Sequence, residues 1–138
     1  MYRNLTLLQV QKFAQTLARQ VAKHGAVIGL TGNLGAGKTT FAKAFARALG
    51  IKTVKSPTFI VSQRYTLRDT YLYHLDFYRL DHPKQLEPLG LSEIMSGRDI
   101  VLIEWVDKFM TIMKKCDILI NLKVKQGNKR DVQIRFKK

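Results

Sequence analysis

The sequence predicts a three-layer α/β fold with a mixed parallel and antiparallel central sheet. Two apolar runs, residues 26–31 and 99–104, are typical of parallel strands buried on both faces of a sheet. Helix-forming segments border these runs, and two further pairs of segments rich in β-branched and aromatic residues predict hairpins. A chain of 138 residues is long enough for one domain, which we place over residues 1–138.

The first predicted helix covers residues 6–23, where apolar side chains recur every three or four positions. Thr6 and Gln9 match a capping box at its start, and Gly25 follows its last turn, where a left-handed residue is favoured. The strand 26–31 comes next.

A glycine-rich loop over residues 32–38 separates this strand from a second helix at 39–49, which Gly50 closes. The middle hairpin is expected at 59–66 and 70–78, and one face of its second strand carries His74 and Asp76. Two short helices are expected next, one at 84–89 capped by Asp81 and one at 92–95 opened by Ser92. The strand 99–104 and a helix at 106–113 follow them. The chain is expected to end in a hairpin whose strands, 118–124 and 132–136, are joined by a turn at 126–128.

Composition excludes several classes of protein. With 46% hydrophobic and 25% charged residues, and only 3 prolines and 9 glycines, the chain is globular rather than disordered or fibrous. No apolar stretch approaches the roughly 20 residues that span a bilayer, and there is no secretory leader, so we expect a cytoplasmic protein without a membrane partner. Cys116 is the only cysteine, which excludes an internal disulfide and predicts a small buried hydrophobic residue.

The charge balance favours an anionic partner. Lysine and arginine number 24 against 10 acidic residues, a formal net charge of +14. From Lys114 onward the chain contains nine basic residues and only two acidic ones. In the predicted terminal hairpin the lysines alternate with apolar residues, so they form one face, which would either protect an exposed sheet edge or bind nucleic acid.

Residues 32–39 read Gly-Asn-Leu-Gly-Ala-Gly-Lys-Thr and fit the pattern G-x-x-x-x-G-K-[ST] between a predicted strand and a predicted helix. Glycines at these positions let backbone N–H groups surround phosphate oxygens at a helix N-terminus. In that arrangement Lys38 reaches the terminal phosphates and the Thr39 hydroxyl binds Mg²⁺. A glycine turn that merely caps a helix is the alternative, but the context favours a three-layer P-loop NTPase fold.

A phosphate loop needs an acidic partner for the metal, usually at the end of a neighbouring buried strand. Glu104 ends the run 99–104, and Asp76 ends a strand that also carries His74. Either could instead be an ordinary surface carboxylate at a strand end. Residues 56–58 read Ser-Pro-Thr and are typical either of a simple turn or of a switch segment in which Thr58 approaches the γ-phosphate and metal.

Residues 128–131 read Asn-Lys-Arg-Asp and match the tetrapeptide N-K-x-D that reads guanine in GTPases. The match lacks the necessary context, because a polar stretch precedes it and only seven residues follow it. We therefore interpret these residues as part of the terminal hairpin and its turn.

Four segments taken together resemble one family. In chain order they are GNLGAGKTT at 32–40, KSPTF at 55–59, HLDFYRL at 74–80 and IEW at 103–105. This ordered set, which extends over nearly the whole chain, is similar to that of the TsaE (formerly YjeE) family, small bacterial ATPases of tRNA threonylcarbamoyladenosine (t⁶A) biosynthesis. The family commonly has Asp where this chain has Asn33.

The resemblance implies roles for individual residues. ATP or ADP would be bound through its phosphates by Gly35, Ala36, Gly37, Lys38, Thr39 and Thr40 and flanked by Gln11 and Arg130. Mg²⁺ would be held by Thr39 and Glu104, and Asp76 would support the metal or the attacking water. The resemblance implies a catalytic set of Lys38, Asp76, Glu104 and the switch residue Thr58.

The resemblance also implies partners. TsaE proteins act with the TsaD and TsaB proteins, which modify the tRNA, and use ATP turnover to support repeated cycles. We expect a weak ATPase that its partners activate, with tRNA contacted indirectly or through the basic C-terminal hairpin. Two other classes stay open from the residues alone: a P-loop kinase of a small metabolite, and a nucleotide-gated RNA-binding module.

Overall fold

The computed structural model describes residues 1–137, which form a seven-stranded sheet with helices on both faces. The strands are β1 (Tyr2–Leu5), β2 (Ala26–Thr31), β3 (Ser62–Thr66), β4 (Tyr71–Asp76), β5 (Ile100–Glu104), β6 (Ile118–Lys125) and β7 (Lys129–Phe136). The helices are α1 (Leu7–Val21), α2 (Lys38–Ala48), α3 (Leu91–Met95) and α4 (Met110–Met113), with 3₁₀ turns at Pro83–Leu89, Val106–Lys108 and Gln126–Asn128. The predicted fold class is confirmed.

The sheet has the order β1-β7-β6-β2-β5-β4-β3. Its four central strands, β6, β2, β5 and β4, are parallel, whereas β3, β7 and β1 pair antiparallel to their neighbours. The sequence predicted parallel strands only at 26–31 and 99–104. Each hairpin in fact contributes one strand that extends the parallel centre and one that runs against it.

Two hydrophobic clusters hold the layers together. On one face α1 and α2 pack over the sheet through residues such as Leu17, Phe41 and Phe45. On the other face α3, α4 and the turns around them pack through Phe77 and Phe109, whose rings meet edge to face. The strands β2 and β5 lie between the clusters, which explains their continuous apolar sequences.

The start of α1 has the predicted capping box. The amide of Gln9 donates to the Thr6 hydroxyl at 3.1 Å, and the amide of Thr6 donates to the Gln9 side chain at 2.8 Å. Gly25 has φ +76°, and a Cβ at this position would lie 2.1 Å from the carbonyl oxygen of Arg98. Glycine is therefore required on both conformational and steric grounds.

Other boundaries differ from the predicted ones. The hairpin strand expected from residue 59 begins at Ser62, because residues 57–61 form a turn in which Val61 has φ +69°. The helix expected over 106–113 is two short pieces separated at Phe109, which has extended backbone. The strand β1 was not predicted.

The caps of the short helices also need correction. Asp81 does not cap the 3₁₀ turn Pro83–Leu89, since the ring nitrogen of His82 accepts the amide of Lys84 at 3.1 Å. The helix α3 begins one residue before the expected Ser92, after Gly90 in the left-handed conformation. Within residues 1–137, no helix combines the length and the apolar character that crossing a membrane requires.

Candidate functional site

The loop between β2 and α2 forms a concave turn. Gly32, Gly35 and Gly37 all have positive φ, and Gly37 is the residue that precedes the first turn of α2. A Cβ at Gly32 would lie 2.5 Å from the carbonyl oxygen of Leu122, so this position also needs glycine for the close approach of β6. The loop thereby ends where the free backbone N–H groups and positive dipole end of α2 can receive an anion.

Lys38 is the first residue of α2, and its side chain is folded back over the loop. Its ammonium group donates to the carbonyl oxygens of Gly32 and Asn33 and lies 4.0 Å from the centroid of the Trp105 ring. Burial lowers the pKa of Lys38, although the nearby carboxylates, Glu104 foremost, oppose that shift. The cation is thus already placed at the site.

Glu104 ends β5 and is only 1% exposed. One of its carboxylate oxygens, Oε1, accepts the hydroxyl of Thr39 at 2.9 Å. The other, Oε2, lies 2.7 Å from Nε2 of His74. Within the described chain, Nδ1 of His74 is a buried polar atom without a hydrogen-bond partner. The sequence identified both residues but gave no indication that they pair.

Asp76 lies beside Glu104, because the parallel register of β4 and β5 pairs these two residues. Its Oδ2 accepts the hydroxyl of Thr58 at 2.7 Å, and its Oδ1 accepts the amide of Tyr78 at 2.9 Å. The Thr58 hydroxyl also lies 3.1 Å from that of Ser56. The segment 56–58 is therefore tied directly to the carboxylate at the end of β4.

The oxygen atoms collected here suit a small hard cation. A threonine hydroxyl and two neighbouring carboxylates, from Thr39, Glu104 and Asp76, are the ligand types that Mg²⁺ prefers. Among the described residues no group of three or more His, Cys, Asp or Glu side chains could enclose a metal by itself. The donor set thus fits Mg²⁺ that takes its other ligands from water and phosphate.

Arg130 of β7 joins the terminal hairpin to the loop. Its Nε donates to the carbonyl oxygen of Ala36 at 3.1 Å, and Nη2 is 3.4 Å from that of Gly35. Nη1 donates to the backbone and side-chain oxygens of Asn128 at 2.9 and 2.7 Å. Arg130 is only 8% exposed, and by holding these carbonyl groups it fixes the peptide planes of the loop.

These groups surround an open cavity of about 310 Å³, within the range of small-ligand sites. It is lined by Leu7, Leu34, Gly35, Gly37, Lys38, Thr39, Thr40, Thr58, Asp76, Tyr78, Glu104, Trp105 and Arg130. The structure therefore brings together every residue named as a candidate from the sequence except Gln11 and Ala36. Leu7, from the same helix as Gln11, lies at the cavity, while Ala36 is buried behind it.

Trp105 was not predicted as a site residue. It has φ +59°, an unusual conformation for a bulky side chain, and its ring lies beneath Lys38 and packs against Tyr78. The available signals were its position directly after Glu104 and its place in the segment IEW at 103–105. The interpretation of residues 128–131 is confirmed, since Asn128 lies in the 126–128 turn and the following three residues belong to β7.

The mixed sheet and the glycine loop between β2 and α2 define the class of the protein: it has the P-loop α/β fold. A family model described as "Threonylcarbamoyl adenosine biosynthesis protein TsaE" matches residues 6–132. The chain therefore belongs to the TsaE family, as its motifs indicated.

Individual relatives agree with this assignment. Proteins named "tRNA threonylcarbamoyladenosine biosynthesis protein TsaE" are 36% identical over 113 residues in Haemophilus influenzae (81% of this chain, 72% of that one) and 39% identical over 126 residues in Aquifex aeolicus (89% and 86%). The relative of that name in Bacillus subtilis is 47% identical over 90 residues (64% and 56%). A crystal structure of Bacillus subtilis YdiB superposes with a TM-score of 0.67 at 30% identity, covering 95% of this chain and 80% of that one.

Proposed function

We propose that this protein binds ATP with Mg²⁺, hydrolyses it slowly, and acts with TsaB and TsaD as an accessory protein in tRNA t⁶A modification. One observation carries the ATPase part. The hydroxyl of Thr39, at the phosphate loop, is bonded to Glu104, and Asp76, beside Glu104, is bonded to Thr58. The phosphate loop, both carboxylates and the switch segment are thereby joined in one constellation.

Each side chain has a defined task in this proposal. The backbone N–H groups at the start of α2, together with Lys38, bind and orient the phosphates. Thr39, Glu104 and Asp76 would hold Mg²⁺, which neutralises phosphate charge when bound. Thr58 would exchange its bond to Asp76 for a contact near the γ-phosphate, so that the segment 56–58 responds to the nucleotide.

Slow hydrolysis is expected from the charges at the cavity. Lys38 and Arg130 are its only cationic lining residues within residues 1–137. Arg130 donates to the carbonyl groups of the loop and the hairpin turn, so it is not free to stabilise charge on the γ-phosphate. An additional cation from a docked partner is a common source of the missing stabilisation in P-loop enzymes.

The surface around the cavity supports the involvement of a protein partner. Leu34, Phe59, Ile60 and Tyr78 are large hydrophobic residues that are 41–78% exposed. They belong to the phosphate loop, the turn 57–61 and the segment that follows β4, all of which lie near the nucleotide site. Apolar residues grouped at the rim of a polar site are typical of a protein-binding surface.

The test is ATP hydrolysis by the protein alone and then with TsaB, TsaD and tRNA. We expect a slow rate that rises with the partners and is abolished by Lys38→Ala or Glu104→Ala. Lys43→Ala is the matched control, because it removes the same charge from α2 at a position outside the cavity lining. If partners do not change the rate, or if Lys38→Ala hydrolyses ATP normally, the proposal is wrong. Transfer of the γ-phosphate to an acceptor other than water would instead indicate a kinase.

A further inference from the structure

The terminal hairpin carries a cluster of cations on one side of the sheet. In the antiparallel register of β6 and β7, Lys123 lies opposite Asp131, Lys125 opposite Lys129, and Leu119 opposite Arg135. Residues directly opposite each other project from the same side of a sheet. Lys123, Lys125, Lys129 and Arg135 therefore share one side, which we call the basic face.

The cations of the basic face lie on parts of the hairpin that have a strand on one side only. In strand order β6 lies between β2 and β7, and β7 between β6 and β1, so neither is an outermost strand. The pairing of β2 with β6 nevertheless ends at Asn121, before Lys123 and Lys125, and β1 pairs with β7 only between Arg130 and Val132. Both explanations that the sequence left open, edge protection and nucleic-acid binding, therefore fit this register, and a binding measurement distinguishes them.

The basic face is open to solvent. Lys123, Lys125 and Arg135 are exposed and Lys129 is half-buried. The helices on this side of the sheet pack against Leu119, near the start of β6, where the hydrophobic cluster ends. Arg135 lies opposite Leu119 at this point, and the amides of Asn121 and Gln133 form the next row, between Arg135 and the three lysines.

The positive charge on this face is poorly compensated. Asp131 is its one carboxylate, and the amide of Asn4 donates to it at 2.9 Å, a bond that lowers the pKa of Asp131. Lys125 lies 3.6 Å from Asp131 but directly opposite Lys129, an arrangement of like charges that destabilises a hairpin. The neighbouring strand β1 supplies no negative charge to compensate these cations, because residues 1–68 contain no acidic residue.

We propose that the basic face binds the phosphate backbone of double-stranded RNA. Lysines two residues apart on a strand are about 6.7 Å apart, so Lys123 and Lys125 form a regular row of cations of the kind that contacts a phosphate backbone. The side of the hairpin that carries the basic face has no aromatic residue on β6 or β7, so it offers nothing on which unpaired bases could stack. Backbone contacts without stacking favour a base-paired helix over a single strand.

None of the four cations lines the nucleotide cavity, although Lys123 borders a neighbouring cleft with Gly32 and Asn33 of the loop. The test is filter binding of a labelled 16-base-pair RNA duplex over a series of salt concentrations, without nucleotide. If four phosphates are contacted, the logarithm of the binding constant falls with a slope of about −3.6 against that of the salt. The variant Lys123→Ala/Lys125→Ala/Lys129→Ala should reduce the slope to about −0.9.

A charge-matched control separates the basic face from general electrostatics. Lys12→Ala/Lys23→Ala/Lys52→Ala removes three exposed cations from elsewhere on the protein and should leave the slope close to that of the original protein. Uridine oligonucleotides of 16 residues should bind more weakly than the duplex. ATP hydrolysis by both variants, measured in parallel without RNA, reports on the nucleotide site independently.

Several results would overturn the proposal. The proposal is wrong if the protein does not bind the duplex, if both triple variants lose affinity equally, or if the single strand binds better than the duplex. A basic-face variant that binds RNA normally but no longer responds to TsaB and TsaD would show that this face contacts an acidic protein surface instead. If the original protein does not hydrolyse ATP, the proposed function is wrong, but the conclusion about RNA binding is unaffected.

Discussion

Replacing Arg130 should weaken both the fold and the nucleotide site. Its guanidinium group donates to Ala36 at 3.1 Å and to Asn128 at 2.9 and 2.7 Å, whereas the 3.4 Å contact with Gly35 is long. A hydrogen bond from a charged donor is worth about 1.5–3 kcal/mol. Water can replace the two bonds to Asn128, which is exposed, so the loss comes mainly from the buried bond to Ala36. We therefore expect Arg130→Ala to lower the free energy of unfolding by about 3 kcal/mol.

Urea denaturation gives a direct measure of this loss. With a slope of about 1.5 kcal/mol per molar urea, a loss of that size lowers the midpoint by about 2 M. Arg130→Lys keeps the charge but not the planar fork, so it should lower the midpoint by only about 1 M. ATP should bind the alanine variant about tenfold more weakly, because ordering the released loop costs about 1.4 kcal/mol, within the range for fixing the backbone of one residue.

Two outcomes would refute this reasoning. If Arg130→Ala unfolds at the same urea concentration as the original protein, the hydrogen bonds to the loop contribute nothing to stability. If the lysine variant equals the original in both assays, the charge alone accounts for the effect and the geometry of the fork is irrelevant. Weaker ATP binding at unchanged stability would point instead to a direct contact between Arg130 and the nucleotide.

Three further predictions concern other parts of the chain. Gly25→Ala should lower the free energy of unfolding by about 2 kcal/mol or more in urea denaturation, since its φ is +76° and a backbone oxygen lies 2.1 Å from the new Cβ. Gly127→Ala also has a positive φ but meets no nearby atom, so it should lower that free energy by only about 1 kcal/mol. His74→Leu should lower the unfolding free energy by about 2 kcal/mol because it leaves a Glu104 oxygen unpaired, and His74→Gln, whose amide can donate to that oxygen, should restore most of the loss. Burial raises the pKa of Cys116 to about 12, so at pH 8 the thiol stays protonated and should react with a disulfide reagent only when the protein is unfolded, which absorbance of the released thiolate will show.

Elements governed by local rules were predictable from the sequence. The strand 26–31 was located correctly because it is buried on both faces, and the start of α1 because Thr6 and Gln9 form a local motif. The strand β1 was missed because its four residues are largely exposed and show no apolar alternation. It exists through pairing with β7, more than a hundred residues away, which no local pattern can reveal.

The candidate site was also predictable from the sequence only in part. The phosphate loop and the two carboxylates are recognisable from motifs, whereas their mutual contacts depend on strand register. That Asp76 lies beside Glu104 follows from the pairing of β4 with β5, and the sequence did not establish this order. The role of Arg130 in holding the loop likewise depends on the folding of β7 against it, and the resemblance, which implied a position beside the nucleotide, did not indicate this role.

Trp105 is positioned to serve as an intrinsic fluorescent probe of the candidate site. It is the only tryptophan in the chain, and its ring lies 4.0 Å from the ammonium group of Lys38. Indole emission depends on nearby charge, so fluorescence excited selectively in tryptophan, and not in the five tyrosines, reports on the place where the terminal phosphates are expected. Any ligand that draws Lys38 away from the ring would change this emission, so occupancy of the site can be followed in real time without a label.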